Sequence, residues 1–222
     1  MQTARQSDLP KLRLLPRREY ATVDRYDPLR FYYRPVVGRL YRRRVEMCLA
    51  ECSGGRRILE VGFGSGLTFI NLHELYSEIH GLDLKAPTAE VAEVFARRGI
   101  KTQLLNGSVL QMPYENGFFD TVLLISILEH LRPQHLQQAL AEIRRVLRPG
   151  GQMVYGVPVD SPFMTVAFRL LGYDIRMHHF STEKNIYRAA KNVSNEVRIT
   201  QMKTVFGKVY EIGHFENGSP AG

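Results

Sequence analysis

Short apolar runs alternate with stretches of helical periodicity over most of the chain. The run FDTVLLIS, over 119–126, is strongly apolar and β-branched, which is typical of a central strand buried on both faces. Over 133–147 the apolar residues instead recur every three or four positions, which is the spacing of one helix face. This alternation predicts repeated βα units, and hence an α/β fold with a mostly parallel sheet.

The same patterns assign the other elements and the domain organisation. A glycine-rich turn follows the first strand and opens a helix to about residue 76, and the RPGG sequence at 148–151 breaks a later helix. No linker divides the body, so we predict one domain over 36–222 after a flexible basic arm and aromatic cover segment over 1–35. Strands are predicted at 56–61, 78–83, 100–106, 119–126 and 152–158, further helices at 36–52, 89–98, 133–147 and 182–190, and a closing antiparallel pair within 196–215.

Length and composition bound the class of protein. With 222 residues, 44% hydrophobic and 23% charged, the chain fits one globular domain with a proper core. No stretch approaches the ~20 apolar residues that span a bilayer, and no apolar segment near the N-terminus is long enough for a signal peptide. Cys48 and Cys52 lack further metal ligands around them, so we predict two buried thiols in a reducing compartment. We therefore expect a soluble, cytoplasmic protein.

The positive charge is concentrated at one end of the chain. The net charge is +8, and residues 1–57 hold 14 Lys and Arg against 6 Asp and Glu, whereas residues 58–222 hold 16 of each. Such asymmetry indicates contact with an anion, which could be nucleic acid, a lipid head group or an acidic substrate. A solvated helix face explains the charge equally well.

The segment ILEVGFGSGLT, over 58–68, runs from an apolar strand into a glycine-rich turn that opens a helix. Glycines let the backbone turn tightly and approach a ligand without a Cβ in the way, which is typical of nucleoside-cofactor sites. The third glycine, Gly66, comes one place earlier than the dinucleotide pattern requires. Glu60 would repel a pyrophosphate but suits a ligand that carries an ammonium and a sulfonium. The loop therefore favours S-adenosylmethionine over NAD.

Two further elements follow at the ends of the next strands. Asp83 ends the second strand about 20 residues after the glycines, where a carboxylate can accept hydrogen bonds from both ribose hydroxyls. Asn106 to Val109 follow the third strand, beside the expected position of an adenine. Open α/β sheets place their ligands at the carboxyl ends of strands, so the three elements together predict one nucleoside site.

Residues 57–158 resemble the core of the class I S-adenosylmethionine-dependent methyltransferases, particularly the small-molecule branch that includes the ubiquinone and menaquinone biosynthesis enzymes. The matching sequences are ILEVGFGSG, HGLDL, GSVLQMPYENGFFDTVLLISILEHL and RVLRPGGQMVYGVP. The resemblance implies a Rossmann-like three-layer sandwich, with a mostly parallel seven-stranded sheet and an antiparallel last strand. Ser108 stands where the family commonly has Asp, so recognition of the adenine amino group would rest on its Oγ and nearby backbone. The implied cofactor-binding residues are Glu60, Gly62, Phe63, Gly64, Gly66, Asp83, Leu84, Ser108, Val109, Ile125 and Ser126.

Two histidines are candidate general bases for the methyl acceptor. His130 follows the fourth strand and His179 follows the fifth, where imidazoles could titrate near neutral pH. Capping or packing histidines are the alternative at both positions. Some quinone O-methyltransferases of the family carry a Glu-x-x-Glu-His metal site here, but Ser126 replaces the first carboxylate. We therefore predict no metal site.

Aromatic residues cluster in two segments that the resemblance places on the acceptor side, 26–52 and 159–192, while 56–158 form the cofactor half. We predict Tyr32, Tyr33, Phe163 and His178 as substrate contacts, with ordinary packing as the alternative. The helix over 36–52 carries Val36, Leu40, Val45 and Leu49 near one side and the arginines 42–44 largely elsewhere. Those arginines could contact a membrane surface, hold a diphosphate or carboxylate, or be solvated.

The predicted function is methyl transfer from S-adenosylmethionine to an oxygen or carbon of a small aromatic, lipid-like or acidic metabolite. RNA methylation is an alternative that the basic N-terminus permits, although no RNA-binding signature occurs in the sequence. A non-catalytic adenosylmethionine-binding protein is a second alternative. The expected partner is a small apolar or anionic acceptor; nucleic acid is disfavoured, and peripheral membrane contact stays open.

Overall fold

The computed structural model describes residues 9–23, 27–159, 179–194, 196–205 and 207–218. One seven-stranded sheet forms the centre, in the order β3-β2-β1-β4-β5-β7-β6. β7 runs antiparallel to both its neighbours, and the other neighbouring strands pair in parallel. The predicted fold is therefore confirmed. The strands are β1 (Gly55–Val61), β2 (Tyr76–Asp83), β3 (Thr102–Asn106), β4 (Phe119–Ile125), β5 (Leu147–Pro158), β6 (Arg198–Thr204) and β7 (Gly207–Glu216).

Helices cover both faces of the sheet. Along β4, Leu123 joins an apolar cluster with α2, α3 and α4, while Val122 and Leu124 join a cluster with α5 and α6, because successive side chains point to opposite faces. No described helix is both long and apolar enough to cross a membrane. The helices are α1 (Leu29–Tyr32), α2 (Val37–Ala50), α3 (Phe69–Leu75), α4 (Thr88–Ala96), α5 (Pro133–Val146) and α6 (Glu183–Val193), with 3-10 turns at Arg17–Glu19 and Leu128–His130.

The described part of the predicted arm lies against the body of the domain. Leu12, Leu15 and Tyr20 are buried in the same apolar cluster as α2 and α3. The backbone N–H of Leu12 donates to Glu46 at 3.0 Å, and that of Arg13 donates to Asn71 at 2.9 Å. Residues 9–23 are therefore packed against the domain rather than forming the predicted flexible arm, because their apolar side chains are buried in the core.

The buried face of α2 matches the predicted one at Val45 and Leu49 and differs from it at Val36. Val36 lies before the helix and is 81% exposed, whereas Tyr41, Val45 and Cys48 are buried. Arg44 lies between these residues in the sequence and on the same side of the helix as Tyr41 and Cys48, three and four positions away. The arginines are therefore not all on the solvent side. Both cysteines are buried and free, as predicted.

β5 begins earlier than its apolar run suggests. The RPGG sequence at 148–151 follows the end of α5 at Val146, as predicted, but it is part of the strand, which was predicted to begin at 152; Gly150 has φ +71°. The pairing with β4 shifts register between Phe119 and Thr121, which accommodates these residues. A local bulge thus lengthens the strand through a sequence that is typical of a turn.

We expect Gly213→Ala to destabilise the domain by about 1–3 kcal/mol, the usual cost of overpacking a core. A Cβ at Gly213 would lie 2.0 Å from Tyr155 Cζ, and the buried Tyr155 ring has no room to move away. Chemical denaturation measures the effect. Gly218→Ala is the matched control, because a Cβ there meets no atom of a described residue within 4 Å. Equal stability of the two variants would contradict the packing of Tyr155 across Gly213.

Candidate functional site

A cavity of about 600 Å³ opens at the carboxyl ends of β1 and β4. Its floor is the glycine-rich turn after β1, and its walls come from α1, α2, the segment after β4 and residues 179–180. Open parallel sheets place their ligands at this edge. The lining residues include Asp27, Phe31, Tyr32, Tyr41, Arg44, Glu60, Gly62, Phe63, Gly64, Ser65, Ile125, Ser126, Glu129, His130 and His179.

The three glycines of the turn have different roles. All three have left-handed φ values, +74° at Gly62, +52° at Gly64 and +74° at Gly66, which other residues rarely adopt. A Cβ on Gly62 would lie 2.0 Å from Ile127 Cδ1, and one on Gly66 would lie 2.6 Å from Phe95 Cε2. Among the described residues, a Cβ on Gly64 would meet only Asp27 Oδ2, at 3.7 Å. Two glycines therefore allow close packing, while the third leaves bare backbone facing open space.

Glu60 is a buried carboxyl group in the cavity wall, only 5% exposed. Thr68 Oγ1 donates a hydrogen bond to Glu60 Oε2. The pKa of Glu60 is raised to about 8, mainly because the group is buried; the Thr68 hydrogen bond lowers it and the nearby charge of Asp83 raises it within that value. Without a cation beside it, this group is mostly protonated at pH 7. A bound ammonium or sulfonium would favour its ionised form.

Asp83 at the end of β2 ties the glycine turn to the second strand. Its Oδ2 accepts from the backbone N–H of Gly64 at 3.1 Å, and its Oδ1 accepts from the N–H groups of Lys85 at 2.9 Å and Ala86 at 3.0 Å. Carboxylate oxygens offer about four lone-pair sites, so these bonds leave room for a ribose hydroxyl. Asp83 therefore shapes the turn as well as facing the predicted nucleoside site.

The predicted nucleoside half lies beyond the cavity lining. Leu84 is 71% exposed, whereas Val109 is buried in the core between the sheet and α5. Ser108 Oγ accepts from the backbone N–H of Leu110 at 3.2 Å, which orders the turn after β3. Asp83, Leu84, Ser108 and Val109 as cofactor contacts stay predictions.

The end of β4 carries a strained residue. Ser126 is the one described non-glycine residue with positive φ, at +58°. Its N–H donates to the Gly156 carbonyl at 2.8 Å, and its Oγ lies 2.9 Å from Tyr210 Oη. Strained conformations of this kind are held by surrounding contacts and cluster at functional sites. Ile125 and Ser126 both line the cavity, next to the glycine turn.

Three titratable side chains meet at the far end of the cavity. One possible ligand atom from each of Glu129, His130 and His179 lies within 4.8 Å of the other two, and the two imidazole rings are 5.3 Å apart. The Glu129 carbonyl accepts the N–H groups of Phe180 at 2.8 Å and Ser181 at 3.1 Å, which brings His179 to His130. The two histidines predicted from separate segments are thus neighbours.

Glu129 completes this cluster from the buried side. Its Oε2 is buried without a hydrogen-bond partner among the described residues, and burial raises its pKa to about 8. A carboxyl and two imidazoles can pass a proton between them or share a cation. The absence of a metal site stays a prediction, because this donor set is compatible with both.

The predicted substrate contacts divide into three groups. Tyr32 lines the cavity. Tyr33 instead donates its hydroxyl to the Leu15 carbonyl and contacts the N-terminal segment, because the ring at the end of α1 faces away from the cavity. Phe163 and His178 lie outside the described residues. The lining residues that the sequence did not single out include Asp27, Tyr41 and, as a site residue, Glu129, whereas Arg44 is one of the arginines that were considered for a diphosphate or carboxylate.

Residues 59–155 match the family model of a methyltransferase domain. Over this stretch the chain is similar to the class I S-adenosylmethionine-dependent methyltransferases. The stretch contains the glycine turn, Asp83 and the Glu129-His130 pair, and the predicted resemblance to the small-molecule branch of this family is confirmed.

Two relatives carry the same resemblance, and a solved structure shares the fold. The demethylmenaquinone methyltransferase of Thermus thermophilus is 31% identical over 116 residues, which are 51% of each chain. The ubiquinone biosynthesis O-methyltransferase of a Bradyrhizobium species is 27% identical over 140 residues, 63% of this chain and 54% of the relative. The chain thus spans about half the length of these relatives. The PH0226 protein of Pyrococcus horikoshii shares the fold with a TM-score of 0.66 at 18% identity, covering 88% of this chain and 97% of its own.

Proposed function

We propose that this methyltransferase domain binds S-adenosylmethionine and transfers its methyl group to an oxygen or carbon of a small aromatic, lipid-like or acidic metabolite. The observation that carries the proposal is the open space over the bare backbone of Gly64, bounded by the carboxyl group of Glu60, in a cavity that continues to Glu129, His130 and His179. One end suits a cationic cofactor and the other holds groups able to take a proton.

The residues of the glycine turn fit this cofactor. Glu60 would accept hydrogen bonds from the cofactor ammonium, and the backbone over Gly64 leaves space that any side chain would fill. Asp83 would accept from the ribose with its remaining lone pair, while it holds the turn through the Gly64 N–H. Ser126 and Ile125 form the wall between cofactor and acceptor.

The bound cofactor supplies a methyl group that is activated by the positive charge on sulfur. The chain holds the acceptor in line with that methyl group and excludes water, which can supply about 7–11 kcal/mol of the barrier. Phe31, Tyr32 and Tyr41 give the acceptor an apolar surface. An imidazole of the His130–His179 pair takes the proton that a neutral acceptor releases as it forms its new bond to carbon.

Calorimetry with S-adenosylhomocysteine, S-adenosylmethionine and NADH tests the cofactor assignment. We expect binding of the first two and none of the third. Incubation with labelled S-adenosylmethionine and a metabolite extract then tests transfer, with label expected in a small molecule. Binding of NADH alone, or label found only in RNA, would refute the proposal.

We expect His130→Gln or His179→Gln to lower kcat about 100-fold or more, because a positioned general base contributes roughly 10²–10⁴-fold. Affinity for S-adenosylhomocysteine should stay unchanged, since neither ring belongs to the glycine turn. Single-turnover kinetics with labelled cofactor measure the effect. His135→Gln, on α5 and outside the cavity lining, is the matched control.

Two results would revise this role of the histidines. Full kcat in both variants would rule out a general base at either position. Loss of activity with a chelator, restored by a divalent cation, would instead assign Glu129, His130 and His179 to a metal and contradict the prediction that none is bound.

A further inference from the structure

Arg44 places a guanidinium group in the wall of the acceptor cavity. Its central carbon lies 4.1 Å from the centroid of the Tyr41 ring. Its Nη2 donates to Tyr32 Oη at 3.1 Å, and its Nη1 donates to Ser126 Oγ at 3.4 Å. Each of these amino groups has two N–H bonds, so each keeps one N–H beyond these contacts. The group is fixed by its neighbours but not saturated by them.

The charge of Arg44 lacks a close counter-ion within the described part of the chain. No carboxylate oxygen there lies within 4.0 Å of its nitrogens. Its Nε is buried and has no hydrogen-bond partner among the described residues. The carboxyl of Glu129 shares the cavity and interacts with this charge from farther away. Burying a guanidinium charge among neutral hydroxyls and aromatic rings is unfavourable. An anion bound in the cavity would offset this cost.

We propose that Arg44 binds an oxyanion, a carboxylate or phosphate, that is carried by the methyl acceptor. Arginine is always charged, and its planar group binds such oxyanions through parallel N–H bonds. Phe31, Tyr32 and Tyr41 line the cavity around it and would contact the apolar or aromatic body of the same molecule. This inference rests on the proposed function and narrows its substrate class from aromatic, lipid-like or acidic compounds to acids.

Arg43 distinguishes this role from a general effect of positive charge. It is the adjacent residue in α2 and does not line the cavity, so its charge is of no use to an acceptor bound there. Arg43→Gln changes the net charge by the same amount as Arg44→Gln. The pair of variants therefore separates a specific oxyanion contact from long-range attraction by the basic N-terminal region.

The experiment measures binding of three probes to protein saturated with S-adenosylhomocysteine: phenylacetate, phenyl phosphate and the neutral phenylacetamide. We expect at least one acid to bind more tightly than the amide. Arg44→Gln should weaken that acid at least tenfold without affecting the amide, Arg44→Lys should restore part of the loss, and Arg43→Gln should match the parent protein. Preference for the amide, or equal acid affinity in Arg44→Gln, would overturn the inference.

A second arm separates the acceptor from the cofactor, whose methionine part also carries a carboxylate. S-adenosylhomocysteine is compared with 5′-methylthioadenosine, which lacks that group, on the parent protein and Arg44→Gln. Equal affinity of the variant for S-adenosylhomocysteine supports the acceptor role and shows that the variant folds. A loss confined to S-adenosylhomocysteine would assign Arg44 to the cofactor and overturn the inference. Failure of the parent protein to bind either nucleoside would instead refute the proposed function itself.

Discussion

Replacing Gly64 by arginine should abolish binding of S-adenosylhomocysteine, with affinity reduced by more than 100-fold, while the domain still folds. In the part of the chain that the structure describes, only Asp27 Oδ2 lies within 4 Å of a Cβ at Gly64, so the new side chain would occupy the proposed place of the cofactor rather than clash with the core. Calorimetry measures the affinity, and thermal unfolding checks the fold.

Two neighbouring substitutions serve as controls for this result. Gly64→Ala imposes the same left-handed backbone on a side chain, at a cost of about 1–2 kcal/mol, but fills far less space. Gly66→Ala should instead lower stability, because its Cβ would lie 2.6 Å from Phe95 and 2.7 Å from Phe69. Gly64→Arg protein that binds S-adenosylhomocysteine normally would show that the ligand lies elsewhere.

The fold could be predicted from the sequence because its local signals agree with each other. The β-branched run of β4 and the helical spacing of α5 each indicate one structure, and strand order follows from the family resemblance. The RPGG sequence misled because a register shift, set by pairing with β4, keeps it in β5. Residues 9–23 were predicted to be a flexible arm because they are rich in charge. Three apolar residues among them are nevertheless buried, against α2 and α3, which lie much later in the sequence.

The candidate site was predictable where a glycine-rich turn forms it, and much less where side chains from distant elements line it. The spacing of Gly62, Gly64 and Gly66 directly encodes a turn, so this part was found. Arg44 and Tyr41 reach the cavity only through the packing of α2 on the sheet, which no local pattern fixes. The available signal was the spacing of Arg44 and Tyr41: residues three positions apart lie on the same face of a helix, so a buried Tyr41 would bring Arg44 to the same side.

Because the pKa of Glu60 is raised, both the stability of the domain and the binding of the cofactor should depend on the protonation of this carboxyl group. Its value of about 8 lies above the ordinary value of 4.5, so between these pH values the folded protein holds a proton that the unfolded chain has lost. Stability must therefore fall as pH rises through this range, by up to about 1.4 kcal/mol per pH unit for this group. Glu129, whose pKa is also raised to about 8, adds a similar decline.

Binding of S-adenosylhomocysteine at pH 7 should release close to one proton, because its ammonium favours ionised Glu60. Calorimetry in two buffers with different ionisation enthalpies measures the release.

Glu60→Gln should abolish the release, weaken binding at least tenfold and flatten the decline in stability between pH 5 and 8. Glu129→Gln flattens the same decline but should keep the proton release, since its carboxyl lies at the acceptor end. 5′-Methylthioadenosine, which has no ammonium, should release no proton from the parent protein. If Glu60→Gln still releases the proton, the buried carboxyl after β1 does not face the cofactor cation, and the electrostatic reason for preferring a sulfonium nucleoside over NAD no longer holds.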